Sequence, residues 1–243
     1  MVASRKQAWL AAGVLALLGG CAPPSRPMAE QGQQVRWRFD RLDRIAGLEA
    51  HIEGAPRLVA TRAGRAVAFD GIDDALYLPQ HPLAAAQHFT AEAIFRPDGG
   101  AFEQRWLHLA EAPGGPGPKF DRAPPNGTRM LFEIRVVQDR WYLDAFVVGP
   151  GFRMTLMVPE KSFPVGRWYH VAQTYDGRHY RSYVDGVLQA EAEIAWKPQG
   201  AGYASLGTRI NRRSYFHGAI YAARFTARAL PPSEFMAVPR ALR

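Results

Sequence analysis

The sequence predicts an all-β domain built as a sandwich of two antiparallel sheets. Short runs rich in β-branched and aromatic residues recur along most of the chain, separated by clusters of Gly, Pro, Asn and Asp. Within these runs apolar and polar residues alternate, as expected for strands with one buried and one solvent-exposed face. Helical periodicity is scarce. These three observations favour a sandwich over a helical or α/β fold.

The N-terminus predicts export. Arg5 and Lys6 precede an apolar run over residues 8–18, followed by two glycines and Cys21. This order is typical of a secretory signal, and the run is shorter than the roughly 20 residues that a spanning helix needs. Residues 18–21 (LGGC) resemble the lipobox of bacterial lipoproteins. The resemblance implies cleavage before Cys21 and a lipid on its thiol, and several acyl chains anchor a protein stably.

Three segments follow from this interpretation: a signal peptide over 1–20, a lipidated Cys21 with a flexible tether to residue 34, and one β domain over 35–243. The alternative is an ordinary signal peptide with an unrelated cysteine. Because Cys21 is the only cysteine, no intramolecular disulfide can form. By analogy with lipoproteins, Ala22 in place of Asp fits sorting to an outer membrane, facing either the periplasm or the cell surface.

The charge balance is basic, with 30 Lys and Arg against 22 Asp and Glu and a net charge of +8. A basic surface favours anionic partners such as acidic polysaccharide, lipopolysaccharide or phospholipid headgroups. Nucleic acid is not an expected partner, because the export signal removes the chain from most of it. The alternative is that the excess of arginine serves only solubility.

Thirteen strands are predicted beyond the tether. Hairpin turns are expected at Asp139, Asp176 with Gly177, and Asp185 with Gly186, because Asp-Gly tolerates the positive φ of such turns. Five prolines and three glycines over 112–126 predict a long loop. A short helical turn is expected at 231–234. The predicted strands are 35–39, 66–69, 75–78, 89–95, 105–109, 130–137, 140–147, 153–158, 168–175, 179–184, 187–194, 203–207 and 217–226.

Alternation in the hairpin 130–147 assigns its two faces. Met130, Phe132, Ile134, Val136, Trp141, Leu143, Ala145 and Val147 are expected to point to the interior. The remaining side chains face the other way. Glu133, Arg135, Tyr142 and Asp144 should therefore share one exposed face.

Four segments resemble the laminin-G-like, concanavalin A-like (pentraxin-type) jelly-roll family. Residues 168–177 (WYHVAQTYDG) with 183–186 (YVDG) carry the most specific similarity. Weaker similarities lie at 69–79 (FDGIDDALYLP), at 89–97 (FTAEAIFRP), and in the closing pieces 206–207 (LG), 216–220 (FHGAI) and 224–230 (RFTARAL). The resemblance implies a concanavalin A-like jelly roll, and fold alone does not define a chemistry.

The resemblance also implies a structural calcium ion near the rim of a sheet. Asp70 and Asp73, with Asp74 as a third candidate, are the expected oxygen donors. Calcium needs 6–8 oxygens, so carbonyls and water would have to complete the site. The acidic residues of the family's last strand are replaced here by Tyr221, Ala222 and Ala223. The alternative is that the three aspartates only shape a turn.

Catalysis by this fold would need carboxylates on an open sheet face. Glu191 and Glu193 lie on one strand face without aromatic neighbours and are expected to be solvated. The jelly-roll polysaccharide lyases pair Arg with Tyr, but their Q-I-H strand is missing here. No H-E-x-x-H, phosphate loop or G-x-S-x-G motif is present. The best set, expected to face one concave sheet, is Glu92, Glu133, Arg135, Tyr142, Arg181 and Tyr183.

A glycan-binding surface does not need paired catalytic carboxylates, because aromatic rings stack on sugars while charged groups bind hydroxyls. The predicted ligand-binding residues are Arg135, Tyr142, Asp144, Arg181 and Tyr183, with Trp106 and Tyr215 beside them. The alternative is that these rings are ordinary strand aromatics, half-buried by their neighbours. His170 is expected to be structural. The sequence thus predicts a non-catalytic, lipid-anchored envelope module for a glycan or protein ligand. A polysaccharide lyase or glycoside hydrolase and a structural assembly protein are the alternatives.

Overall fold

A computed structural model describes residues 34–115, 120 and 127–243. The predicted signal peptide, Cys21 and nearly all of the tether lie outside these residues. In the part of the chain that is described, no helix is long and apolar enough to span a membrane. The regular structure is almost entirely strand, which confirms the predicted fold class.

The described residues form eighteen strands. In order they are β1 Gln34–Arg38, β2 Arg44–Ile45, β3 Leu48–Glu49, β4 His51–Glu53, β5 Arg57–Thr61, β6 Gly64–Asp70, β7 Ala75–Leu78, β8 Phe89–Pro97, β9 Glu103–Glu111, β10 Arg129–Val137, β11 Arg140–Gly149, β12 Phe152–Met157, β13 Phe163–Pro164, β14 Tyr169–Tyr175, β15 His179–Val184, β16 Val187–Glu193, β17 Gly202–Leu206 and β18 His217–Thr226. Two short 3₁₀ turns follow, Pro232–Glu234 and Arg240–Leu242. The first of them is the predicted terminal turn.

Sixteen of these strands form two large antiparallel sheets, and β2 pairs separately with β3. The first has the order β16-β15-β14-β8-β18-β6-β5, with β1 also paired to β18. The second has the order β12-β11-β10-β9-β17-β7-β4, with β13 also paired to β11. Strands distant in sequence are therefore neighbours in each sheet, as in a jelly roll. The five strands β2 to β5 and β13 were not predicted, because they are short or lack a clear alternation of polar and apolar residues.

The predicted turns form because their residues accept unusual backbone angles. Asp185 and Gly186 both have positive φ, 48° and 78°, which suits the two-residue connection between β15 and β16. Gln138 takes the same conformation beside Asp139, between β10 and β11. In the turn after β14, Asp176 Oδ1 accepts hydrogen bonds from the backbone N–H groups of Arg178 and His179. These contacts set the register of the hairpins.

The core lies between the two sheets and is rich in aromatic rings. Phe95 of β8 contacts Trp106 of β9 at 5.8 Å, Trp141 of β11 at 5.2 Å and Phe216 at 5.9 Å between ring centroids. All eight residues of hairpin 130–147 that were predicted to be interior belong to this core. Trp106 is only 2% exposed, so its predicted place in a surface platform is wrong. Each sheet also has an outer face, turned away from the core.

A C-terminal segment, residues 228–243, covers part of the outer face of the first sheet. Thr90, Glu92 and Ile94 are successive outward-facing residues of β8. Thr90 Oγ1 accepts a hydrogen bond from Leu230 N, Glu92 Oε1 accepts one from Met236 N, and Ile94 packs with Met236, Val238 and Leu242. Trp168 lies beside this cluster, half-buried on Tyr221.

Candidate functional site

The predicted site residues lie on the outer faces of two different sheets. Glu92, Arg181 and Tyr183 belong to β8 and β15 of the first sheet. Glu133 and Arg135 belong to β10 of the second sheet, and Tyr142 and Asp144 belong to β11. The expectation that they face one concave sheet is therefore wrong. Alternation places each side chain correctly on an outer face, but it does not reveal which sheet a strand joins.

Glu92 is buried beneath the C-terminal segment and is only 1% exposed. Its Oε1 forms an ion pair with Arg224 Nη2 at 2.5 Å and accepts the hydrogen bond from Met236 N. His170 Nε2 lies 3.6 Å from the other carboxylate oxygen, and Phe235 packs on the His170 ring. These contacts give Glu92 and His170 a structural role, and they close this position to a substrate.

Arg181 and Tyr183 are also engaged within the protein. Arg181 forms ion pairs with Asp176 at 2.5 Å and with Glu191 at 2.8 Å. Tyr183 is 8% exposed and packs edge-on against Phe235, 5.2 Å between ring centroids. Neither side chain offers an open, unpaired surface, so their predicted part in ligand binding has no support from these contacts.

The second sheet carries a network of five charged residues on its outer face. Arg105 pairs with Glu133 and, at 2.7 Å, with Glu103. Arg135 pairs with Glu103 at 2.5 Å and with Asp144 at 2.5 Å. Glu133 and Asp144 lie directly opposite each other in the β10–β11 register. Three carboxylates and two guanidiniums therefore largely neutralise one another.

This face is not exposed as the sequence predicted. Glu133 is 3% exposed, Asp144 is fully buried, and Tyr142 is 8% exposed. The expectation of an exposed face is therefore wrong, because alternation shows that a side chain points outward but not whether contacts distant in sequence bury it. Ser214 O accepts a hydrogen bond from Arg105 N, so the loop over residues 207–216 lies at the edge of the network.

The buried carboxyls of the network are harder to ionise than free ones. Burial raises the pKa of Glu133 to about 7, with Asp144 adding to the rise and the arginines opposing it. Burial likewise raises the pKa of Asp144, against the attraction of Arg135. A carboxyl that titrates near neutral pH is the property of a general acid, but substrate would also have to reach it.

Three further arginines on this outer face were missed in the sequence. Arg129 of β10 and Arg153 of β12 lie on either side of Val148 of β11 in the sheet register. Their guanidinium carbons lie 5.3 Å and 5.4 Å from the ring centroid of Phe146. Arg209 follows β17, and the next residue, Ile210, donates its N–H to His108 of β9. We call Arg129, Arg153 and Arg209 the arginine cluster.

Among the described residues, no carboxylate forms an ion pair with any arginine of this cluster. The nearest cross-strand neighbours are apolar, since Ala110 and Val148 flank Arg129 and Val148 pairs with Arg153. Burial lowers the pKa of Arg129, and the positive charges of Arg209 and Arg153 lower it further. Cross-strand neighbours cannot be read before the register is known, so no sequence signal separated these arginines from the paired ones.

Tyr215 lies at a different place from the other predicted platform residues. It is half-buried and close to Glu53 and Arg212, whose charges act on its pKa in opposite directions while burial raises it. Arg212 forms a bidentate ion pair with Glu53 and lies over the ring of Tyr77. This group sits at the β4–β7 end of the second sheet and is charge-balanced.

Asp70, Asp73 and Asp74 lie together, as predicted, in the turn between β6 and β7. Their carboxylate oxygens come within 4.8 Å of one another. Asp70 Oδ1 accepts hydrogen bonds from the N–H groups of Ile72, Asp73 and Asp74. Asp74 is buried, and its two oxygens accept from Ala55 N at 2.6 Å and Asp70 N at 2.9 Å.

These contacts test whether the aspartates fit the calcium ion that the family resemblance implies. Three of the carboxylate oxygens already accept backbone hydrogen bonds, which leaves Asp70 Oδ2 and the Asp73 carboxylate. Calcium takes 6–8 oxygen ligands, so the available donors do not make a calcium site by themselves. Gly54 packs closely on this turn, since a Cβ there would lie 2.6 Å from Asp74 Oδ1. The geometry fits a turn held by hydrogen bonds.

We expect chelation to leave the melting temperature unchanged, because hydrogen bonds and not a metal hold the turn. Asp74→Asn should lower the free energy of unfolding by about 1–3 kcal/mol, since an amide cannot accept both backbone hydrogen bonds. Asp73→Asn, the exposed control, should change it by less than about 0.5 kcal/mol. Thermal melts with and without EDTA check this. A clear drop in melting temperature on adding EDTA would contradict the prediction.

Glu133 should make the domain less stable as pH rises. Because its pKa is raised from 4.5 to about 7 in the folded state, the native protein holds this proton more tightly than the unfolded chain. The free energy of unfolding should therefore fall, by up to about 3 kcal/mol, between about pH 5 and about pH 8. Denaturant titrations at each pH give the free energy of unfolding. Its fall with rising pH should be smaller in Glu133→Gln than in the wild type, and unchanged in the exposed control Glu160→Gln. Equal slopes in Glu133→Gln and the wild type would refute this role.

Comparisons with known structures agree with this architecture. Domain 4 of AbnA, an extracellular arabinanase from Geobacillus stearothermophilus solved with arabinotriose, matches with a TM-score of 0.53 and 17% identity over 84% of this chain and 97% of that one. A chain of botulinum neurotoxin type C, from a study of entry dependent on two ganglioside molecules, matches with a TM-score of 0.54 and 10% identity over 83% and 49%. Trypanosoma rangeli sialidase with 2,3-difluorosialic acid matches with a TM-score of 0.54 and 15% identity over 82% and 32%.

At these identities the structural matches show the fold alone. The chain spans about half of the neurotoxin chain and a third of the sialidase chain. No curated protein matches the chain in sequence. A family model described as the concanavalin A-like lectin/glucanases superfamily matches residues 70–235, most of the predicted β domain. The predicted family is thereby confirmed, and the chain belongs to the concanavalin A-like lectin/glucanase superfamily.

Proposed function

We propose that this protein is a non-catalytic module that binds glycan and is held at the cell envelope by a lipid on Cys21. The observation that carries the binding role is the outer face of the second sheet. There, strands β9 to β12 bring aromatic and charged side chains together, while the C-terminal segment covers a central strand on the opposite face. Similar folds bound to arabinotriose and linked to gangliosides support a carbohydrate ligand.

The burial of the acidic residues supports a non-catalytic role. Glu133 and Asp144 form the best pair of carboxyls, and both are enclosed and engaged by arginines. A glycosidase needs both carboxyls in contact with the scissile bond. Glu92, the remaining candidate, is held by the C-terminal segment.

A glycoside hydrolase remains the second candidate, and one observation favours it. The pKa of Glu133, which lies opposite Asp144, is raised to about 7, and a carboxyl that titrates near neutral pH can act as a general acid. This function would require the buried network to open to a substrate. We therefore rank it below binding.

Glycan binding is tested with the full chain in neutral detergent on a glycan array. We expect retention of a subset of glycans with no release of reducing ends or unsaturated uronates, because the carboxyls are closed off. Release of product that disappears in Glu133→Gln would replace the binding function with an enzymatic one. No retention of any glycan would contradict the proposal.

The lipid anchor is tested by replacing Cys21 with Ser. Because the lipid would be attached to this thiol, we expect the variant to leave the membrane fraction and appear in the soluble envelope fraction. An Ala22→Ser variant, which retains the thiol, serves as the matched control and should stay with the membrane. Equal membrane retention of Cys21→Ser and the wild type would exclude the anchor.

A further inference from the structure

The arginine cluster differs from the neighbouring arginines Arg105 and Arg135 on the outer face of the second sheet. Arg105 and Arg135 are neutralised by Glu103, Glu133 and Asp144. In the described part of the chain, Arg129, Arg153 and Arg209 have no such ion pair. Placing unpaired positive charges next to one another costs free energy, since like charges repel at short distance. Such an arrangement suits an anion that would bind between them.

The sheet register shows how the cluster is built. One row across β9 to β12 reads His108, Leu131, Phe146 and Thr155, and the next reads Ala110, Arg129, Val148 and Arg153. The first row supplies an apolar floor of Leu131 and Phe146. The second row places two guanidiniums on that floor, both over the Phe146 ring. Arg209 approaches from the loop after β17, above His108.

The hydrogen-bonding capacity of the cluster is largely unused. Arg129 donates from Nη1 to Gly127 O at 2.9 Å, while its buried Nε has no acceptor among the described residues. Arg153 is exposed. Guanidinium groups bind carboxylates and sulfates through paired, charge-assisted hydrogen bonds, which are stronger than those to neutral oxygens.

The charges around the arginine cluster favour the binding of an anion. His108 is fully enclosed, and burial with the nearby arginines holds its pKa well below the ordinary value, so it contributes no positive charge of its own. Glu133 attracts Arg129 and Arg209 weakly, but burial and repulsion by other arginines dominate the pKa of both. A bound anion would relieve this repulsion.

We infer that the arginine cluster is the binding site for a carboxylate or sulfate group of an acidic glycan. This rests on the proposed glycan-binding function and names its ligand class. The anionic group would lie between the guanidiniums of Arg129, Arg153 and Arg209. Leu131 and Phe146 are buried, so they support the arginines and do not contact the ligand.

The test measures binding of the full chain in neutral detergent to polygalacturonate, dextran sulfate and neutral dextran. We expect at least one anionic polymer to bind at least about tenfold more tightly than dextran, and its affinity to fall as salt is raised. The double variant Arg129→Gln, Arg153→Gln should lose about tenfold or more in affinity for that polymer. Preference for polygalacturonate would identify a carboxylate ligand, and preference for dextran sulfate a sulfate ligand.

The matched control is the double variant Arg57→Gln, Arg65→Gln, which removes the same charge from exposed positions on the first sheet. It should retain wild-type affinity, and both double variants should keep the wild-type melting temperature within a few degrees. Equal weakening by the control would show non-specific attraction to a basic protein and overturn the inference. If Arg129→Gln, Arg153→Gln fails to fold, Arg153→Gln alone, at an exposed position, gives the same test.

The outcomes separate this inference from the proposed function. If the protein binds only neutral glycans on the array and the cluster variant still binds them, the glycan-binding function stands. The inference that the arginine cluster binds an acidic glycan would then be overturned. Absence of binding to every glycan would overturn both. Binding of anionic phospholipid vesicles that is lost in the cluster variant, without any polymer binding, would assign the surface to a membrane and overturn the inference.

Discussion

The packing of aromatic rings around Phe95 holds the two sheets together. Phe95 projects from a central strand of the first sheet and contacts Trp106 and Trp141, which project from the second. Each ring removes a large apolar area from water, which is the dominant favourable term in folding. Because these contacts join the sheets face to face, they determine which side chains remain on the outer faces. The candidate catalytic and ligand-binding residues of the strands lie on those faces.

The two outer faces differ because the chain covers them differently. The C-terminal segment follows β8 and engages Thr90, Glu92 and Ile94 in turn. On the second sheet, the charged network around Glu133 is buried and paired, while Arg153 is exposed. The carboxyls with the most suggestive chemistry are therefore enclosed.

Charge pairing distinguishes the arginines that stabilise the fold from those that remain available. Arg105, Arg135, Arg181 and Arg224 each face a carboxylate at ion-pair distance. A paired guanidinium has exchanged water for a carboxylate, so binding a ligand would require breaking that pair. The arginine cluster requires no such exchange. Whether an arginine is paired therefore depends on what lies opposite it in the sheet.

The sequence by itself determined the sheet architecture, because a period of two residues separates core from surface within each strand. It placed Phe132 and Trp141 in the interior and located the turns at Asp176 and Asp185. It also placed Asp70, Asp73 and Asp74 together, since they are close in the chain. Only the tertiary structure decided that Glu92 and Glu133 belong to different sheets, that Trp106 is buried, and that Arg129, Arg153 and Arg209 converge. The physical reason is that alternation reports on local backbone geometry, whereas strand order and loop cover depend on contacts between residues distant in sequence.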